Sequence, residues 1–129
     1  MHEWPEKLKK DIINVRNKVK DSRMHLTGGV VENKAKEAGK SVSEFSKDTY
    51  KSLDQSLEEL TVDLSGGAYK VTDKLGHEID ELTETIKKIH KDVKAKRREI
   101  TGGYIEDKTK ETLDSVDRRL EKLINKMKE

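Results

Sequence analysis

Apolar residues recur along this chain every eleven positions, in neither strict heptads nor alternation. One row runs Val31, Val42, Leu53, Leu64, Leu75, Ile86; a second runs Leu57, Ala68, Ile79; a third runs Leu60, Val71, Leu82, Val93, Tyr104. Thr61, Thr72 and Thr83 form a polar row beside them. Eleven residues over three turns is about 3.67 per turn, close to the natural α-helix, so each row runs nearly straight with a slight right-handed drift. The pattern predicts helix and excludes strands. Together the three rows span roughly 65° of the helix surface. That is narrower than the ~100° face of a helix lying on lipid or closing a globular core, and it suits a seam between helices. The expected packing seam is Leu53, Leu57, Leu60, Leu64, Val71, Leu75, Ile79, Leu82, Ile86 and Val93.

Three joints interrupt the pattern: Leu26-Thr27-Gly28-Gly29, Leu64-Ser65-Gly66-Gly67 and Ile100-Thr101-Gly102-Gly103, spaced 38 and 36 residues apart. A glycine after the last apolar residue readily takes the left-handed conformation that closes a helix. Cations crowd the ends before two joints (Lys18, Lys20, Arg23; Lys94, Lys96, Arg97, Arg98), and Glu32 and Glu106 follow in the next first turn. Both placements match the helix dipole. Pro5 suits an opening turn. The layout predicted is helices over 5–26, 30–64, 68–100 and 104–128, with Gly28, Gly29, Gly66, Gly67, Gly102 and Gly103 as the joints. The apolar phase shifts by one residue across the outer joints and is kept across the middle one, which leaves a bend open there. Two glycines inside a helix cost about 1 kcal/mol each against alanine, which favours a turn.

The joints belong to an internal repeat, read as one helix plus one joint recurring at about 37 residues, with the middle joint the weaker copy. Thr27 to Ala38 reads TGGVVENKAKEA and Thr101 to Thr112 reads TGGYIEDKTKET, seven identities in twelve. At the same 74-residue offset Leu8 matches Leu82, Ile12 matches Ile86, Val15 matches Ile89, Val19 matches Val93, Arg23 matches Arg97 and Leu26 matches Ile100.

Composition narrows the class. At 129 residues the chain is one helical repeat domain spanning 1–129. Charged residues are 42% and the aromatics are only Trp4, Phe45, Tyr50, Tyr69 and Tyr104. Thin helical layers fit such a chain better than a thick core with a carved catalytic pocket. The net charge of +2 supplies no general drive toward polyanions, so nucleic acid is not the expected partner. Without cysteine there is no disulfide or thiolate metal site. No apolar run approaches the ~20 residues of a spanning helix, and Met1-His2-Glu3-Trp4-Pro5 does not resemble a secretory signal. The expected location is cytoplasmic, or peripheral on a membrane or assembly.

Candidate chemistry is sparse. His77-Glu78-Ile79-Asp80-Glu81 resembles half of a zinc-protease helix, but Glu81 stands where the second histidine belongs. Lys87 stands three residues before His90, so no Glu-x-x-His pair builds a di-iron site. The Thr-Gly-Gly joints lack the spacing and strand of a phosphate loop. No catalytic residue, cofactor or metal set is therefore assigned, and no small-molecule substrate is expected. The run Lys87 to Arg98 carries seven basic residues against Asp92, with no aromatic interleaved to stack on bases. Asp54, Glu58, Glu59 and Asp63 lie in the preceding helix, so the run is read as a face either solvated or paired with those acids in a hairpin. Trp4 precedes the first periodic residue and is read as a staple on the helix start.

The texture Asn33-Lys34-Ala35-Lys36-Glu37-Ala38-Gly39-Lys40, with its eleven-residue period, resembles the group 3 late-embryogenesis-abundant proteins and the exchangeable apolipoproteins. The first resemblance implies stress protection of membranes and proteins, the second the coating of lipid surfaces. The Gly-Gly joints depart from the alanine-rich repeats of the former, and the proline punctuation of the latter is absent. The expectation is an all-α chain, either an antiparallel four-helix bundle or an elongated assembly. It is expected to act as a non-enzymatic structural or scaffolding protein that packs on a second copy or another helical protein. The alternative is a peripheral protein that becomes helical on a membrane or other apolar surface.

Overall fold

The computed structural model describes residues 4–67, 69, 75–100 and 106–128, apart from the side chains of 106–108, and those residues form helices without strands. The first helix, α1 (Glu6–His25), starts after Pro5, whose ring fixes φ near the helical value (−55°) and whose missing N–H is no loss at a helix start. It buries Leu8, Ile12, Val15 and Val19, one apolar residue per turn. A short α2 (Val30–Glu37) follows, then α3 (Val42–Ser65), α4 (Gly76–Glu99) and α5 (Glu106–Lys128).

Side-chain pairs fix the direction of each long helix. Lys18 donates to Ser56 Oγ at 2.8 Å and Asp11 accepts from Tyr69 beyond the end of α3, so α1 and α3 are antiparallel. Asp54 on α3 meets both His90 and Arg97 on α4. Asp92–Arg119 at 2.8 Å and Glu81–Lys126 at 3.3 Å set α5 antiparallel to α4. Arg16–Glu121 at 3.6 Å and Arg23–Asp114 at 3.0 Å close α5 back on α1. The result is an up-down-up-down bundle in the ring order α1, α3, α4, α5, with α2 resting on α1 and α3. The elongated alternative is set aside, because the bundle closes within one chain.

The helix predicted over 30–64 is two helices, which is a correction. Gly39 takes φ 68°, and Ser41 Oγ accepts from Glu44 N–H at 3.1 Å, so α2 ends and α3 begins within four residues. A continuous helix over the same span would be roughly 54 Å long, against about 36 Å for the 24 residues of α4. Its first turns would hang beyond the bundle with Val31 and Ala35 in water. Folding back buries both to 2% exposure. The helix predicted over 68–100 is also shorter, since α4 begins at Gly76; of 68–75 only Tyr69 and Leu75 are described, and neither belongs to it. The middle joint is a turn. Gly66 closes α3 with its N–H on Val62 O at 2.8 Å, and Gly67 takes φ 71°.

In the structure the 74-residue match relates two helical hairpins, so the larger repeating unit is a pair of helices rather than one. All ten apolar positions that match between α1 and α4 at the 74-residue offset are buried. The other helix pair, α3 and α5, superposes in sequence at 63 residues instead: Asp54 on Asp117, Leu57 on Leu120, Leu60 on Leu123, with Ser46/Thr109, Tyr50/Leu113, Leu53/Val116 and Leu64/Met127 buried alike. Contacts obey the same match. Arg16–Asp117 on the α1–α5 side corresponds to His90–Asp54 on the α4–α3 side, and Lys18–Ser56 corresponds to Asp92–Arg119. The bundle therefore has a pseudo-twofold axis along its length. The two offsets differ by eleven residues, about three helical turns, so the first hairpin carries one extra repeat unit in the region of α2.

Candidate functional site

Most of the predicted seam lies in the core. Leu53, Leu57, Ile86 and Val93 are fully buried, Leu60, Leu64, Leu75 and Leu82 nearly so, and Ile79 packs against the core while half-buried. Val71 lies outside the described residues. The buried face of α3 is wider than the rows predict: Asp54 borders it on one side and Leu60 on the other, roughly 120° apart at 100° per residue. That width is what a closed four-helix core requires. Of the joints, Gly29 and Gly67 adopt the left-handed backbone and Gly66 ends α3 in right-handed geometry. Gly28 does not take positive φ, and Gly102 and Gly103 lie outside the described residues.

Trp4 corrects a further expectation. It is buried within the core and shares a groove with Leu123 and Met127 of α5, so it joins the ends of the chain rather than only stapling α1.

Polar side chains knit the bundle where helices meet. Asp54 is 5% exposed, and its two carboxylate oxygens accept from His90 Nε2 and Arg97 Nη1. Sequence reasoning missed its burial; the one signal was its place beside Leu53, at the edge of the apolar row. Tyr50, fully buried, donates its hydroxyl to Thr109 O at 2.9 Å, which ties α3 to α5 across the core. Tyr69 donates to Asp11 Oδ2 at 2.6 Å, while Lys7 Nζ stands 5.8 Å from its ring centre. Burial of the phenol, its bond to Asp11 and the nearby Asp11 and Asp63 charges push its pKa up. Lys40 is held above the usual lysine value by its hydrogen bond to Asp48 and the charge of that carboxylate.

Two open grooves of about 440 Å³ each lie between α1 and α3 and between α4 and α5. They are counterparts under the pseudo-twofold axis, lined by Lys18, Ser56 and Asp63 in one and by Glu81, Leu123 and Lys126 in the other. His77 pairs with Glu81 at 3.1 Å on an exposed face, and no cluster of three metal-ligating side chains occurs among the described residues. No described helix is long and apolar enough to cross a membrane.

The outer face of α4 is largely solvated. Of the four acids of α3 considered as partners for the basic run, Asp54 alone pairs with it among the described residues, taking His90 and Arg97 from the inner edge. Lys91, Lys94 and Arg98 are exposed and have no ion-pair partner among the described residues; Lys87 reaches only Glu84, one turn away, at 3.7 Å. No family model matches the chain, and no curated protein or solved structure matches it.

Proposed function

We propose that the chain is a non-enzymatic structural or scaffolding module whose apolar rows are consumed in its own bundle, leaving a charged exterior to meet partners. One observation carries the reading: the described apolar rows converge on a single core, while the titratable side chains sit in interhelix clamps, on exposed faces or along two open grooves rather than around an enclosed cleft. Catalysis needs groups that converge on a site from which water can be excluded, and two open grooves between charged helices offer little of that.

Circular dichroism with light scattering tests the proposal. A scaffold that folds by itself should be fully helical in plain buffer, melt in one cooperative step, and keep its helix content when anionic vesicles are added. Helix gained only on vesicles or in trifluoroethanol would replace this reading with the lipid-coat alternative.

A further inference from the structure

We propose that the outer face of α4 docks the phosphate backbone of duplex nucleic acid, without reading its sequence. Lys87, Lys91, Lys94 and Arg98 stand at i, i+4, i+7 and i+11, all exposed, as one row roughly 16 Å long. The antiparallel register set by Asp54 carries Lys51 and Lys47, both exposed, toward the same C-terminal end of α4. Glu58, one turn after Asp54 on α3, is exposed and forms no ion pair with the row among the described residues.

The duplication shows that the bundle itself does not need this row. Seventy-four residues earlier the equivalent positions of α1 are Ile13, Asn17, Lys20 and Met24. The same helix, in the same place in its hairpin, folds with one cation instead of four. The row is thus peculiar to one copy, and four like charges held along one helix face repel one another unless an anion neutralises them.

The chemistry of the face selects the anion. A helix that binds a lipid surface combines cations with inserted apolar side chains. Here the exposed large apolar residues are Ile13 and Met24 on α1, Val30 on α2 and Val62 on α3, with none on α4. An acidic protein helix would gain little from each exposed ion pair and would find no apolar anchor. A polyphosphate needs no anchor, because each neutralised phosphate releases condensed counterions. Without an aromatic in the row, single strands have nothing to stack on, which leaves the duplex backbone.

The test is fluorescence anisotropy of a short labelled duplex titrated with the full chain. Contact with four phosphates gives a slope of log K against log salt of about −3.6, a roughly 150-fold loss between 50 and 200 mM. Lys87→Glu/Lys91→Glu/Lys94→Glu should abolish binding while leaving the far-ultraviolet dichroism unchanged. The milder Lys87→Gln/Lys91→Gln/Lys94→Gln protein should retain a slope of only about −0.9. Reversing three exposed lysines elsewhere, in Lys10→Glu/Lys20→Glu/Lys122→Glu, should change affinity by less than about twofold, since they lie off the face. No binding at 50 mM salt, equal losses in both reversal proteins, or binding to phosphatidylserine vesicles but not to duplex would each overturn the proposal.

Discussion

Asp54 is a carboxylate almost sealed inside a helical interface, yet both of its partners reach water, His90 at 18% and Arg97 at 36% side-chain exposure. Removing one partner of a fully buried pair costs ~3–5 kcal/mol, mostly because the other charge is stranded. Here the cations can turn to solvent, so Asp54→Ala should cost less, about 2 kcal/mol by urea denaturation. A double-mutant cycle with His90→Ala should show a coupling of about 1 kcal/mol. Strict additivity would mean that the pair does not hold α3 to α4. At this scale the sequence was least informative. The same Lys/Glu/Asp alphabet fills clamp and solvent positions alike, and a shift of one residue around a helix decides which a residue becomes.

Among the elements, α2 and α3 show what local signals can and cannot do. The eleven-residue rows located the helices because one apolar residue per turn is a packing demand, and the described residues of those rows are buried except Val42 and Ile79, which are partly so. The break at Gly39 was legible too, since Ser41-Val42-Ser43-Glu44 has the spacing of a capping box and Ser41 does cap α3. The rows mask it because they continue through it: Val31, Val42 and Leu53 keep their spacing whether the helix is broken or not. Only the length of the neighbouring helices decides, and that is a property of the assembled bundle. Ser41→Ala should therefore cost about 1 kcal/mol, read as a lower urea midpoint at unchanged slope. A larger loss together with a changed slope would indicate that α2 unfolds as well.

For the whole molecule, the pseudo-twofold axis makes a quantitative demand. Leu57 and Leu120 are equivalent, both fully buried, on helices that face the same neighbours in the two hairpins. Leu57→Ala and Leu120→Ala should each cost about 2–5 kcal/mol and agree within ~1 kcal/mol of each other, measured by chemical denaturation. A domain of this size has only ~5–15 kcal/mol in hand, so either change should lower the melting temperature visibly. Widely different costs would mean that the hairpins have diverged in packing as well as in their surfaces. The duplication of α1 in α4 was readable in the sequence. The correspondence of α3 with α5 was not, because the extra unit displaces it by eleven residues in a chain that resembles itself at that spacing anyway.

Trp4, the one tryptophan of the chain, gives the molecule an intrinsic optical gauge. Its indole is 5% exposed, where the start of the polypeptide meets Leu123 and Met127 near its end. Emission from that single ring reports whether the first and last helices are clasped, with no label attached. Any event that parts them, whether heat, denaturant or an encounter with lipid, should shift the spectrum to the red before the helix signal itself declines.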